Sequence, residues 1–247
     1  MKRAVKGSVL AGTETERSCF MKVITILCQV GLAGCLLAVM MTPLSSEPRS
    51  QDPLTHPVHV NLEGVTTPDA VAQALLEARV PGGITALYYC GGFPTRSFKP
   101  SNSSLRGVLD AIVSSDPDYS WRLADGAVNL VPRNIRINFL ETHIPKLELK
   151  DVKTPDEALN KLMALPEVQR QWQSELGGRL VEGGAYAFGL NPTAASEKTF
   201  SIALNNATVA EALNAIAKAH GVAVWVLVKN ECSNGGRKSF SIKFIHE

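Results

Sequence analysis

The sequence predicts an α+β fold made of two related modules, and three observations support this. Residues 199–228 have the pattern of a strand, a helix and a second strand in succession. A similar pattern recurs earlier in the chain, and residues 119–133 carry the alternation and central turn of a β-hairpin. We expect two tandem βα(β)βαββ modules, with helices packed on small mixed or antiparallel sheets.

The strand that opens residues 199–228 is expected to bury one face. Phe200, Ile202 and Leu204 alternate with small residues. A period of two residues is that of a strand covered on one side only.

The helix and second strand of this unit have equally clear signals. Thr208 and Glu211 have the spacing of a capping box, in which each side chain binds a free backbone N–H at a helix start. Gly221 favours the helix end, because glycine adopts the left-handed conformation there without steric cost. Residues 222–228 are continuously apolar, which predicts a strand covered on both faces.

Residues 1–46 are expected to form a signal peptide or an N-terminal membrane anchor. Five basic residues precede an uncharged, largely apolar run at residues 23–41, which is the arrangement of an export signal. The run is close to the ~20 residues that span a bilayer, and its basic flank would stay in the cytoplasm. Either Met1 or Met21 is the start of this leader.

One cysteine in the leader is a candidate for lipidation. Leu32-Ala33-Gly34-Cys35 resembles the lipobox of bacterial lipoproteins, in which the cysteine is lipidated and becomes the new N-terminus. The chain stays apolar at residues 36–41, which is atypical of that motif. Cleavage near Ser46, an uncleaved anchor and a buried N-terminal helix are the alternatives to lipidation at Cys35.

The charge balance of the rest argues against a nucleic-acid partner. The chain has 25 Lys and Arg against 23 Asp and Glu. Five of the basic residues and two of the acidic ones precede residue 23, so the remainder has 20 basic against 21 acidic residues. A net charge of −1 offers no basic surface for phosphates. Residues 47–57, with three prolines among polar residues, are expected to be an extended linker to the folded part.

An internal duplication divides that folded part into modules at residues 58–133 and 146–247, joined by a linker at 134–145. Thr67-Pro68-Asp69 recurs as Thr154-Pro155-Asp156, and in both copies we expect threonine to cap a helix. Residues 104–112 align with 208–216, and at the same spacing Trp121 matches Trp225.

Each module is expected to contain two strand–helix pairs and a closing hairpin. The first strands fall at residues 58–62 and 146–150. The middle of the first module is a strand at 84–89, and that of the second is a helix from 159 that continues past Pro166. Hairpins close the modules, with turns at Asp125-Gly126 and at residues 230–238.

Two cysteines remain after the leader. Cys90 and Cys232 are an even pair in an exported protein, which is consistent with a disulfide bond. The alternative is two separate thiols, with Cys90 buried as a small apolar side chain.

The module pattern resembles the short N-terminal domain shared by secretins and TonB-dependent receptors. The resemblance covers residues 198–246, with the helix sequence ALNAIAKAHG at 212–221, and extends to residues 96–133. It implies a periplasmic module that binds other proteins or stacks on copies of itself. The sequence ends at Glu247 without the β-domain of secretins or the plug and barrel of receptors, so we do not expect a pore or transporter.

The sequence predicts no catalytic, cofactor-binding or metal site. His56 and His59 flank a proline and lack partners at zinc-like spacing. His220 is interpreted as a structural residue at a helix end. Asp116 and Asp118 are interpreted as turn and cap residues, because nothing predicts the pKa difference that an acid–base pair requires. Nucleotide-binding and hydrolase motifs are absent after the predicted strands.

We therefore expect a non-enzymatic protein-interaction module, exported and either periplasmic or membrane-anchored facing the periplasm. It would be an adaptor or accessory factor of a secretion, pilus or uptake machine, and would bind an envelope protein or a second copy at its sheet edges. The alternatives are a small-ligand sensor or enzyme subunit with a site between the halves, and a self-assembling structural protein. A polar, concave groove with converging charges would favour the ligand; a flat, apolar edge would favour the adaptor.

Overall fold

A computed structural model describes residues 52–88, 92–100, 103–176, 199–230 and 239–246. Within these ranges the chain forms five α-helices: α1 (Thr67–Glu77), α2 (Leu105–Ser115), α3 (Pro155–Met163), α4 (Pro166–Leu176) and α5 (Val209–His220). Two short 3₁₀ turns lie at Pro53–Thr55 and Asn138–Glu141.

The strands of the same ranges form one larger sheet and two strand pairs. They are β1 (Val65–Thr66), β2 (Gly82–Tyr88), β3 (Thr95–Arg96), β4 (Tyr119–Ala124), β5 (Ala127–Pro132), β6 (His143–Val152), β7 (Phe200–Thr208), β8 (Ala223–Asn230) and β9 (Ser239–His246). The larger sheet has the order β4-β5-β2-β8-β9. Strand β2 is parallel to its neighbours β5 and β8. The outer strands β4 and β9 are antiparallel to β5 and β8, respectively. The pairs β1–β3 and β6–β7 are antiparallel. The predicted α+β class, with small mixed and antiparallel sheets, is confirmed.

Strand β2 joins the two halves of the chain in a single sheet. It pairs along its whole length with β8, from Gly82 opposite Val224 to Tyr88 opposite Asn230. On its other side, residues 82–84 pair with β5 of the first half. Residues 51–247 accordingly form one compact unit, in which the sequence halves share a sheet.

Helices cover both faces of this sheet. On one face, α1 and α2 form a core with Val224 and Val226 of β8. On the other face, α3, α4 and α5 form a second core with Trp225 and Leu227. Residues 223–228 are all buried, so the expectation of a strand covered on both sides is confirmed.

Gly83 makes room for Trp225 at the centre of the sheet. The two residues are register partners on β2 and β8. A Cβ atom at position 83 would lie 2.0 Å from Cε2 and 2.1 Å from Cζ2 of the indole, well inside van der Waals contact. The indole Nε1–H donates a hydrogen bond of 2.8 Å to Oδ1 of Asn214 on α5, which holds the ring in place.

The helix ends of the second half follow the sequence signals. Thr208 and Glu211 make both hydrogen bonds of the capping box at the start of α5. Gly221 follows the helix with a φ of 101°, a backbone conformation that favours glycine. Thr154 caps α3, as predicted, and accepts a hydrogen bond from the backbone N–H of Glu157.

The predicted cap of α1 is wrong by one residue. Thr66, and not Thr67, is the N-cap and accepts from the backbone N–H of Asp69. Thr67 begins the helix instead, and its hydroxyl donates to the carboxylate of Asp116. This long-range partner outweighs the local capping preference of Thr67.

The predicted strand at residues 58–62 is also wrong. Within the described ranges the segment has no ladder partner, and its backbone bonds to loops. Val58 N–H donates to Ser103 O at 2.6 Å, and Phe98 N–H donates to Leu62 O at 3.0 Å. The strand that precedes α1 is shorter than predicted and comes later in the chain, at β1.

The middle of the second half contains two helices where one continuous helix was predicted. Helix α3 ends at Met163, and α4 begins at Pro166. Proline has no N–H to donate and its ring crowds the preceding turn, so it starts a helix more readily than it continues one.

The segment predicted as a linker is part of the fold. Phe139, in the second 3₁₀ turn, is 1% exposed and packs edge-on against Trp172 of α4 with ring centroids 4.9 Å apart. Strand β6 then begins at His143, inside the predicted linker. Aromatic burial thus fixes residues 134–145 against the second core.

Two hydrogen bonds support the predicted duplication. Trp121 Nε1–H donates to Oδ1 of Asp110 at 2.9 Å, and Trp225 Nε1–H donates to Oδ1 of Asn214 at 2.8 Å. In both, the tryptophan lies 11 residues beyond its acceptor. The acceptor is charged where the pair is exposed and neutral where it is buried, which avoids the cost of a buried charge. The duplication itself stays a prediction.

Candidate functional site

A groove of about 520 Å³ lies where the two halves meet on the sheet. Its floor is formed by β2, β5 and β8, and one wall by residues 133–141, which join the halves. Thr208 and Ala210, at the start of α5, line another side. Both halves therefore contribute side chains to one concave surface.

Three buried residues from three adjacent strands form the floor: Thr85 on β2, Asn129 on β5 and Trp225 on β8. Thr85 is 1% exposed, and its Oγ1 has no hydrogen-bond partner among the described residues. An unsatisfied buried hydroxyl costs roughly 1–3 kcal/mol. A polar atom held in the groove could recover part of this free energy.

The walls above the floor are apolar. They are formed by Val131, Pro132, Ile135, Ile137 and Leu140. Apolar walls around a small number of polar groups are the usual composition of a small-molecule pocket.

Two arginines of the first half line the groove and have N–H groups available to bind a ligand. Arg133 donates through Nε to the backbone carbonyl of Tyr119 at 2.9 Å, which orients its guanidinium. Arg122 lies on β4, directly opposite Asn129 of the floor. Its guanidinium has no hydrogen-bond or ion-pair partner within the described ranges.

A third arginine is already paired. Arg136 binds the carboxylate of Glu141 across the 3₁₀ turn, and this hydrogen bond raises the pKa of Arg136. The lining contains three arginines and one glutamate, a net charge of +2. The unpaired part of that charge belongs to Arg122 and Arg133.

The N-terminus of α5 adds little to this positive charge. Glu211 Oε2 accepts from the backbone N–H of Thr208 at 2.6 Å, so an internal carboxylate already neutralises the positive helix end. The electrostatic character of the groove therefore comes from its arginines.

The sequence analysis raised a site between the halves as an alternative but named none of the residues that line this groove. The only signal was the presence of Arg122, Arg133 and Arg136 within 15 positions of a chain with little net charge. Thr85 carried no signal, because its hydroxyl matters only through the register of β2 between β5 and β8.

The predicted covalent sites lie outside the described residues. This holds for the lipidation candidate Cys35 and for the candidate disulfide between Cys90 and Cys232, which all stay predictions. The leader, residues 1–46, lies outside as well. Among the described residues, no helix is long and apolar enough to cross a membrane.

The histidines and aspartates considered for chemistry are separated in space or serve local structure. His56 Nδ1 lies 3.1 Å from the carbonyl oxygen of Ala78. Asp116 is the C-cap of α2, as predicted, is 4% exposed and lies 3.7 Å from Nε of Arg96. Nowhere in the described part of the chain do three potential His, Cys, Asp or Glu ligands gather as a metal site.

A pair of histidines lies at the end of α5, apart from the groove residues. The rings of His220 and His246 are 5.2 Å apart, and His246 Nε2 is 3.9 Å from Oδ2 of Asp156. Burial and then the charge of His246 lower the pKa of His220. The ring of His220 also packs edge-to-face against Phe200. This contact supports the interpretation of His220 as a structural residue at the helix end.

Comparison of the chain with protein-family models, with curated proteins and with solved structures finds no match. The groove is therefore interpreted from its own geometry and charge.

Proposed function

We propose that the chain is a non-enzymatic binding protein that holds a small ligand in the groove between its two halves. The observation that carries this proposal is the buried hydroxyl of Thr85, which has no partner in the described part of the chain, on the floor of a groove of about 520 Å³. Small-molecule sites typically have volumes of about 300–1,000 Å³ and few polar groups within apolar walls.

The chemistry of the lining supports binding over catalysis. The titratable groups are three arginines, which stay protonated in proteins, and Glu141, which is paired with Arg136. The described lining residues include no histidine or cysteine, the side chains most suited to proton transfer or nucleophilic attack near neutral pH. Charged groups that are fixed and always ionised suit recognition of a ligand.

A fragment library screened by ¹⁵N-labelled NMR tests this proposal. A groove ligand should shift the amides of Thr85, Asn129 and Thr208. Thr85→Val should weaken it about 5- to 30-fold, the equivalent of about 1–2 kcal/mol for one hydrogen bond. Thr95→Val, on β3 and outside the groove lining, is the matched control and should leave the affinity unchanged. If no fragment shifts these amides, or if both variants bind equally, the proposal fails.

The adaptor function is the second candidate, and one observation favours it. Leu123 is 45% exposed on β4, the outer strand of the shared sheet, and is the one large apolar side chain exposed within the described ranges. An exposed edge strand can accept a strand from an envelope protein or from a second copy. Leu123→Lys should then reduce recovery of that partner in a cross-linked pull-down from the native envelope, and unchanged recovery would reject this edge.

Export to the periplasm is part of both candidates and rests on the leader at residues 1–46. A C-terminal alkaline phosphatase fusion should be active, because that enzyme folds only after export. An inactive fusion at normal expression would contradict the proposed location.

A further inference from the structure

We propose that the ligand of the groove is a small organic carboxylate with an apolar body, bound through its carboxylate to Arg122 and Arg133. The inference rests on the proposed function of the groove and adds the chemical class of its ligand. It follows from the charge, the available donors and the wall composition of the described lining residues.

The positive charge of the groove is local. The lining carries a net +2, whereas the chain after residue 22 has 20 basic against 21 acidic residues. Attraction of an anion to this surface is therefore a property of the groove and not of the whole protein. Cations are disfavoured at the same place by the same charge.

The two available arginines offer the type of donor that a carboxylate binds. The Nε–H of Arg133 is held by the carbonyl of Tyr119, which limits the loss of side-chain freedom when its terminal nitrogens bind a ligand. Arg122, on β4 of the hairpin that precedes Arg133, has a guanidinium with no partner among the described residues. Planar guanidinium groups bind carboxylates through two parallel N–H···O bonds.

The remaining lining selects among anions. Val131, Ile135 and Leu140 present apolar surface that favours an apolar body over a bare inorganic ion. Moving an ion out of water and between such apolar walls costs free energy that rises with the square of its charge, so a dianion is penalised more than a monoanion. A singly charged carboxylate on an apolar ring or short chain therefore fits better than a phosphate dianion.

Four probes of similar shape test this class: benzoate, neutral benzamide, cationic benzamidine and dianionic phenyl phosphate. Each is titrated into the ¹⁵N-labelled full chain at low salt, with the amides of Thr85, Asn129 and Thr208 as the readout. We expect benzoate to bind with a Kd on the order of 1 mM, typical of such a small probe. Benzamide and phenyl phosphate should bind at least fivefold more weakly, and benzamidine should cause no shift. The affinity for benzoate should fall as sodium chloride is raised.

Arginine variants test the assigned contacts. Arg122→Gln and Arg133→Gln should each weaken benzoate at least fivefold. Arg133→Lys keeps the charge but loses the bidentate geometry, and should fall between wild type and Arg133→Gln. Arg106→Gln is the matched control, because Arg106 pairs with Asp52 and does not line the groove. Arg122 has no described partner to lose, so its variant separates binding from folding.

The outcomes distinguish this inference from the function on which it rests. If benzamide, benzamidine or phenyl phosphate shifts the groove amides at least as strongly as benzoate, the carboxylate class is wrong while ligand binding in the groove stands. If benzoate shifts no groove amide at 20 mM, or if Arg106→Gln weakens it as much as Arg122→Gln, the inference is overturned. Failure of the wider fragment library at the groove removes the proposed function as well.

Discussion

Substitution of Gly83 by alanine is expected to disrupt the contact that joins the two halves. The new methyl group would lie 2.0 Å, 2.1 Å and 2.5 Å from Cε2, Cζ2 and Nε1 of Trp225. Carbon atoms in contact are normally about 3.5–4.0 Å apart, so the indole must move by more than 1 Å. Trp225 is 1% exposed and packed on both sides, which leaves it no space to move without shifting its neighbours.

The cost has two parts. Overpacking of a core by one methyl group typically costs about 1–3 kcal/mol. Displacement of the ring also breaks the buried hydrogen bond from Nε1 to Asn214, for a further ~1–2 kcal/mol. We expect Gly83→Ala to lower the free energy of unfolding by about 2–5 kcal/mol, a large fraction of the stability of a typical domain.

Urea denaturation followed by far-ultraviolet circular dichroism measures this loss. Gly64→Ala is the control, because a Cβ at position 64 meets nothing within 4 Å and the backbone strain at its φ of 63° should cost only about 1 kcal/mol. In a Trp225→Leu background, Gly83→Ala should cost less than about 1 kcal/mol, since the clash is gone. Equal costs in both backgrounds would refute the assigned contact between the halves.

Three further predictions concern single side chains. Thr85→Val should raise the free energy of unfolding of the ligand-free protein by about 1 kcal/mol, because it removes a buried hydroxyl that lacks a partner; a loss of 1 kcal/mol in urea denaturation would contradict this. Glu211→Ala should lower the free energy of unfolding by about 1 kcal/mol, because it removes half of the α5 capping box. No change would mean that the cap is dispensable. The lowered pKa of His220 means that the unfolded chain binds its proton more readily, so stability should fall as pH drops below about 6.5. His220→Gln should reduce that pH dependence in thermal unfolding from pH 7.5 to 5.5, and an unchanged dependence would assign it to other groups.

Elements defined by their own neighbours in sequence were predictable. The capping box of α5, its terminal Gly221 and the buried strand β8 follow from residues within a few positions of one another. The hairpin of β4 and β5 turns at Asp125 and Gly126, as predicted, with φ of 54° and 77°. Short-range steric and hydrogen-bonding preferences dominate at such places.

Features that depend on distant partners were not predictable from pattern. The alternation in residues 58–62 is typical of a strand, but none of the strands that the structure describes pairs with this segment. Thr67 has the local signal of a helix cap, yet Asp116, 49 residues away, binds its hydroxyl. The groove likewise requires the pairing of β2 with β8, and the residue pattern of neither strand predicts which strand it pairs with.

The central position of β2 has a consequence for how the chain folds. Gly83 and Trp225 are register partners, yet 142 positions separate them in sequence. Contacts of such long sequence separation raise the contact order of a fold and slow its folding. Until β8 is synthesised and docks, one edge of β2 has unpaired backbone groups beside an apolar surface. We therefore expect slow, cooperative folding of residues 51–247, with truncated chains that end before β8 prone to aggregate.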